Sequence, residues 1–273
     1  MSLIVAHFDA PPGPAPAVSW LLCTHVTNEQ LRLALRSCLE QTFTDFELIV
    51  VANGGAVADI VSTVREWHED DPRLRLVSTD VRHLNFSLSL GLHHARGNLV
   101  ARMDSDDLAS SDRLQRQVAF MRSHPDVVVL GTDYELIDEA GQATRRVSMP
   151  TSDAQIRRAL MRGNPLCHPT VMFRRATVLA AGGYLGGIYA EDYDLWARLA
   201  VDPANHFSNL PEVCLGYRTV GAGVARKARL AYASMAASQF RNFVLGAGRT
   251  WGLAAAISML KAFVRSAPGV RTS

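Results

Sequence analysis

Between residues 18 and 103, short apolar runs alternate with amphipathic segments at a spacing that leaves few folds open. Val18-Ser-Trp-Leu-Leu-Cys23, Phe46-Glu-Leu-Ile-Val-Val51, Arg73-Leu-Arg-Leu-Val77 and Asn98-Leu-Val-Ala-Arg-Met103 read as strands. A helix is predicted from the capping-box spacing Thr27-x-x-Gln30 to about Gln41, with Leu31, Leu35, Cys38 and Leu39 on one face. Two more are predicted over roughly residues 56–70 and 86–95, the latter stopped by Gly97. Strand, helix and strand at these distances imply an α/β class with a mostly parallel sheet and helices on both of its faces.

The fourth run delivers Asp104-Ser105-Asp106-Asp107 at its C-terminal tip. In open α/β sheets ligands bind at that edge. One carboxylate suffices to cap a following helix. Three within four residues, with no lysine nearby, repel one another unless a cation sits among them. Hard oxygen donors suit Mg²⁺ or Mn²⁺. Neither G-x-G-x-x-G nor G-x-x-x-x-G-K-[ST] occurs, so any phosphate is held another way, and the acidic cluster with a cation supplies one.

Beyond the cluster, the pattern predicts a helix over about residues 112–123 and a strand at Asp126-Val-Val-Val-Leu130. A hairpin is predicted around Glu139-Ala-Gly141, flanked by residues 132–138 and 142–148. Ser152-x-x-Gln155 caps a helix to about Met161, and His168-Pro-Thr-Val-Met-Phe173 reads as a strand. Glu191-Asp-Tyr-Asp-Leu-Trp196 opens a helix with acids in its first turn.

The chain's 273 residues, 48% hydrophobic and 20% charged, describe a globular protein with ample core. Cys23, Cys38, Cys167 and Cys214 form no C-x-x-C pair and read as buried thiols of a reducing, cytoplasmic compartment. No secretory signal and no bilayer-spanning run is visible, and residues 1–16 read as a Pro-rich, poorly ordered leader.

In order and spacing the motifs resemble glycosyltransferase family 2 on the GT-A fold. The residues that carry the resemblance are Val18 to Thr24, Phe46 to Gly54, Ala95-Arg-Gly97, Ala101-Arg-Met-Asp-Ser-Asp-Asp107, Asp112-Arg-Leu114, His168-Pro169 and Glu191-Asp-Tyr-Asp-Leu-Trp196. The resemblance covers about residues 17–220. It implies a nucleotide-binding half over 17–107, an acceptor half over 108–220 and a basic helical tail over 221–273. It further implies inverting transfer of a sugar from a nucleotide-diphosphate donor, a UDP-sugar being favoured, to a hydroxyl of a glycan or lipid-linked acceptor in surface polysaccharide synthesis.

By resemblance, Asp106 is the main metal ligand, Asp104 meets the ribose or shares the metal, and Asp107 is the third candidate. Asp192 matches the base that takes the acceptor's proton. Like charge on Glu191 is expected to raise the pKa of Asp192. Thr24 and Asn53 are the candidates for the nucleotide base, while Arg82, Asn85 and Arg102 line the approach to the cluster and meet phosphate or base, or form structural ion pairs. His168 matches a position near the acceptor or diphosphate, and Trp196 packs in the core or beside the acceptor. The chain departs from the family pattern at Ala52, where an Asp is usual, and at Cys23 and His25, where Pro and Tyr are usual.

The net charge of +2 hides an asymmetry. Residues 213–273 hold nine basic residues and no acid, so the preceding part carries −7. Two tail helices are predicted, over 226–245 and 250–265. In the second, Leu253, Ile257, Leu260 and Val264 form a stripe flanked by Arg249, Lys261 and Arg265. That helix packs on the catalytic domain or a second copy, or lies peripherally on an anionic membrane at the inner face. Nucleic acid is not an expected partner, because no aromatic residues interleave the charge. The competing functions are a sugar-1-phosphate nucleotidyltransferase, which needs a Gly-rich basic loop that Cys23-Thr-His-Val-Thr-Asn28 lacks, and a non-catalytic nucleotide- or sugar-binding relative.

Overall fold

Strand β1 (Val18–Thr24) lies between β2 (Phe46–Asn53) and β4 (Leu99–Met103), parallel to both, and β3 (Leu74–Thr79) extends the parallel set beyond β2. Leu22 is in register with Val50 on one side and Met103 on the other, so Thr24, Asn53 and the acidic cluster emerge at one edge. These strands are mostly apolar because both faces are covered, and the Glu47 carboxylate among them is held by Ser19, Arg75 and Arg96. Trp20 and Leu22 point toward α1 (Glu29–Leu39) and α2 (Val57–His68); Leu21 points the other way, toward α3 (Leu84–His94). The computed structural model describes residues 13–68, 71–219 and 224–264. The leader up to residue 12, the side chains of Arg226 and Lys227, and Arg265 and Arg271 lie outside the described residues.

Two close approaches fix the first half. A Cβ on Gly91 of α3 would lie 2.2 Å from Leu21 Cδ1, and one on Gly97 would lie 2.6 Å from the Ser19 nitrogen. Helix α1 is capped by Asn28, whose side chain accepts from the Leu31 N–H at 2.9 Å, and not by Thr27 as its spacing predicts. Asn28 sits one residue nearer the helix, and its side-chain oxygen reaches the Leu31 N–H, where a Thr27 cap would reach that of Gln30.

The second half of the sheet is mixed. β8 (Met172–Arg174) joins β4 antiparallel, β6 (Val127–Ile137) runs antiparallel to β8, and β9 (His206–Arg218) runs parallel to β6. Short β5 (Leu108–Ala109) pairs with β9, and β7 (Ala143–Val147) forms the predicted hairpin with β6. The runs expected at 126–130 and 132–138 are one continuous strand. The strand expected over 168–173 shrinks to β8, because His168–Thr170 form a 3₁₀ turn. Pro169 has no N–H for a ladder, and the Thr170 N–H turns back to the Cys167 carbonyl at 2.9 Å.

Helices α4 (Arg113–Ser123), α5 (Asp153–Leu160), α6 (Arg175–Ala180) and α7 (Glu191–Leu199) cover this half. The expected Ser152 cap is present, its N–H donating to Gln155 Oε1 at 3.3 Å. Arg113 is fully buried over the Trp20 ring and donates to the Arg102 carbonyl at 2.7 Å. Gln117 donates to the Thr170 carbonyl at 2.8 Å. Helix α4 thus ties the tip of β4 to the turn carrying His168.

The tail forms a hairpin of α8 (Val224–Val244) and α9 (Arg249–Val264). It is joined to α7 by buried polar contacts. Asp194 accepts from Ser238 Oγ at 2.8 Å, from Arg241 at 2.6 Å and from Arg198 at 2.9 Å. Gln239 donates to the Tyr193 hydroxyl at 2.6 Å, and Asn242 to the Ala197 carbonyl at 2.8 Å. Small residues, Ala254, Ala255, Ser258 and Ala262, bury the inner side of α9. The predicted stripe points outward: Leu253, Ile257, Leu260 and Val264 are 66%, 39%, 63% and 67% exposed. No helix of the described residues is long and apolar enough to cross a membrane. The charged neighbours of Asp194 hold its carboxyl below the usual range against the opposing effect of burial. Asp194→Ala is expected to remove about 3 kcal/mol of stability by taking from Arg198 and Arg241 their buried carboxylate partner. Urea denaturation checks this. The loss should be full above the usual carboxylate range and should shrink as pH falls through the lowered pKa.

Candidate active site

A crowd of like charges sits where β4 ends. The carboxylates of Asp104, Asp106 and Asp107 offer oxygens within 4.8 Å of one another. Arg218, at the end of β9, fastens the cluster. Its N–H donates to Asp107 Oδ1 at 2.8 Å, its Nε to the Asp106 carbonyl at 2.8 Å, and its Nη1 to the carbonyls of Asp138 and Glu139, both at 2.6 Å. Burial and then the Asp104 charge push Asp107 up to about 8, and the same two causes raise Asp106. Asp107 Oδ2 is buried without a hydrogen-bond partner. Hard oxygens, crowded charge and an unsatisfied buried acceptor fit a divalent cation.

Arg102 lies beneath the cluster. Its Nη2 donates to Asp104 at 2.5 Å, whereas Nε and Nη1 are buried without partners. Burial opposes the Arg102 charge, and the Asp104 carboxylate more than restores it. Two unpaired N–H-bearing nitrogens of a permanent cation fit an anionic ligand.

Arg102 and Asp104 share one cavity of about 410 Å³ with His168, Glu191 and Asp192. Asp192 stands at the start of α7. Its Oδ1 accepts from the Tyr193 N–H at 2.7 Å and its Oδ2 from Asn164 Nδ2 at 2.5 Å. Burial raises the Asp192 pKa while these two donors hold it down. Glu191 is pushed to about 7 by burial and by the Asp192 charge. The expected influence of Glu191 on Asp192 therefore runs chiefly the other way. His168 is buried, its Nε2 lies 3.0 Å from the Tyr184 hydroxyl, and its ring meets Trp196 edge-on. Burial and Arg102 hold the imidazole well below its ordinary pKa, so it is neutral. Trp196 is fully buried in the core.

Thr24, Asn53 and Arg82 lie along the edge of β1 to β3 and Asn85 opens α3; none of the four lines that cavity. Thr24 is buried and its hydroxyl turns onto the Val26 carbonyl at 2.8 Å. Asn53 is buried at the end of β2. It precedes Gly54, whose φ of +97° requires glycine, and the Arg82 side chain passes over Gly54. The amide of Asn85 is committed elsewhere, donating to the Gly186 carbonyl at 3.0 Å and so pinning a loop. The sequence pattern singles out neither Asn164 nor Arg218 as a site residue. An Asn-Pro step before a buried Leu marks Asn164 as a turn residue, but nothing local reveals its contact with Asp192 across 28 residues.

A family model described as Glycosyl transferase family 2 matches residues 19–183, more than half of the chain. The chain belongs to glycosyl transferase family 2. It is 33% identical over 228 residues to the O-antigen biosynthesis glycosyltransferase WbnJ of Escherichia coli, covering 83% of this chain and 89% of that one. It is 25% identical to the Escherichia coli UDP-Gal:alpha-D-GlcNAc-diphosphoundecaprenol beta-1,3-galactosyltransferase, covering 80% of each. The structure of the mannosyltransferase PcManGT from Pyrobaculum calidifontis in complex with GDP-Man and Mn²⁺ superposes with a TM-score of 0.65. That match is at 19% identity, over 99% of this chain and 80% of the other. The fold of this transferase is GT-A, with a C-terminal helical part.

The order of titration at α7 is open to measurement. In Asp192→Asn, carbon NMR of the carboxyl groups should show Glu191 titrating below its value of about 7. Burial keeps it above an exposed glutamate. An unchanged Glu191 would contradict the charge coupling.

Proposed function

We propose that this transferase moves a sugar, with inversion, from a nucleoside-diphosphate donor to a hydroxyl of a lipid-linked glycan during surface polysaccharide synthesis. The observation that carries the reading is that Asp104 of the acidic cluster and Asp192 line a single cavity with Arg102. A leaving group and an attacking hydroxyl need opposite chemistry close together, and this cavity brings Asp104 and Arg102 together with the half-buried carboxylate of Asp192. The relatives support the setting: one is named for O-antigen biosynthesis, another for a diphosphoundecaprenol acceptor and a UDP-Gal donor. A UDP-sugar is the favoured donor on that ground.

Asp104, Asp106 and Asp107 would hold Mg²⁺ or Mn²⁺, which when bound supplies Lewis-acid stabilisation to the departing diphosphate. Arg102 donates its two free N–H-bearing nitrogens to diphosphate oxygens. Thr24 and Asn53, with Arg82 beside them, meet the nucleoside. Asp192 accepts the proton of the acceptor hydroxyl as that oxygen attacks the anomeric carbon, and the bond to the diphosphate oxygen breaks with its electron pair. Burial makes Asp192 a stronger base than an exposed aspartate. Asn164 fixes its orientation, and Glu191 stands beside it. Neutral His168 presents its ring to the acceptor side without adding charge.

The tail places the enzyme at the membrane surface as a peripheral protein on the cytoplasmic side. Phe240, Leu245, Leu253, Leu260 and Phe263 expose an apolar face on a hairpin without a single acid. Such a face suits an interface with anionic lipid.

A nucleoside diphosphate should raise the melting temperature in Mn²⁺, and the effect should vanish in Asp106→Asn. Asp192→Asn should keep that shift while turnover falls by about 10²- to 10⁴-fold. No shift with any nucleotide, or full turnover in Asp192→Asn, would refute the reading. Separately, the protein should co-sediment with phosphatidylglycerol vesicles, and Leu253→Glu combined with Leu260→Glu should leave it in the supernatant. Equal binding by wild type and variant would sink the membrane contact.

A further inference from the structure

A second cavity, of about 590 Å³, opens off the catalytic one: Met149 and Asn164 line both. Asn164 is the residue whose amide holds Asp192, so the groove leads away from the carboxylate assigned to the acceptor hydroxyl. Its volume is that of a small-molecule site. Arg158 of α5 and Arg162, two residues past its end, line it, and no carboxylate does. Among the described residues neither guanidinium has an ion-pair or hydrogen-bond partner, whereas the adjacent Arg157 is paired with Asp153 at 2.7 Å. The Arg158 and Arg162 side chains are both exposed, and two neighbouring guanidiniums with no acid beside them make a local positive patch whose forked donors suit phosphate oxygens.

The groove also has a direction. Arg158 continues into a smaller cavity of about 280 Å³ lined by Thr250 and Trp251 of α9. Lys261 of α9 donates to the Arg162 carbonyl at 2.9 Å. The two arginines therefore lie between the catalytic cavity and the helix whose outer face is apolar. A glycan with its hydroxyl at Asp192 would run its anomeric end along this groove and its lipid toward α9. The group between sugar and lipid in such a carrier is phosphate.

We infer that the groove binds the phosphate groups of the acceptor through Arg158 and Arg162. This rests on the transferase reading above. The test is calorimetric titration with decyl diphosphate in EDTA, with decanol as control, on wild type and on Arg158→Gln combined with Arg162→Gln. Wild type should bind decyl diphosphate and not decanol, and the double variant should bind about tenfold more weakly or worse. The variant's melting shift with nucleoside diphosphate and Mn²⁺ should persist, which shows that it is folded. Unchanged affinity in the double variant, or equal binding of decanol, overturns the inference. Loss of phosphatidylglycerol vesicle binding with unchanged decyl diphosphate affinity would make the arginines a headgroup contact, and overturns it too. Absence of any nucleotide shift in wild type, with arginine-dependent binding intact, overturns the acceptor assignment together with the transferase reading. It is told apart from the other failures by that intact binding.

Discussion

Repulsion among Asp104, Asp106 and Asp107 is the constraint on which the architecture around the site depends. Three like charges at the end of one strand would splay in water. Here Arg102 meets Asp104 from beneath, and Arg218 meets Asp107 and the Asp106 carbonyl from β9. Arg113 then holds the Arg102 carbonyl from α4. Three arginines from three elements fix one tetrapeptide. Neither Arg102 nor Asp107 is saturated by these contacts, so the tetrapeptide is both rigid and receptive.

The same contacts join the two halves of the fold. Arg218 reaches from the last strand to the first acidic turn and to the carbonyls of the β6–β7 hairpin. Helix α4 links β4 to the turn of His168. Parallel strands with local crossovers build the first half of the sheet, and the second half is assembled from long-range pairings laid against it. The cavity lies at the seam, where side chains of different origin converge.

What was legible in the sequence follows this division. The first four strands are buried on both faces and joined by short helical crossovers, so apolar runs and their spacing suffice to read them. The acidic cluster and the Glu191–Asp192 pair announce themselves as local clusters of one sign. Pairing of β6 with β9 links residues about 80 apart, and no local pattern encodes it. Arg218 and Asn164 depend on that pairing or on a long loop, which is why neither stood out. The tail illustrates another gap. Periodicity in α9 reveals an apolar stripe, but close packing on α8 takes the small residues and leaves the large ones outside. Thr27 and Asn28 compete for one cap, and spacing alone does not arbitrate.

Asp192 and Asp194 sit two residues apart on α7, roughly 200° around its axis. One lines the cavity, and the other is buried against Ser238 and Arg241 of α8. The helix therefore works as a spindle with a cavity-lining carboxylate on one side and the tail bolted to the other. A chain ended before α8 would not be a trimmed transferase. It would leave the Asp194 carboxylate and the inner faces of Tyr193 and Ala197 without their partners, and the loosened spindle would carry Asp192 with it. The tail is thus the rear bearing of the helix that carries Asp192, whatever else its outer surface touches.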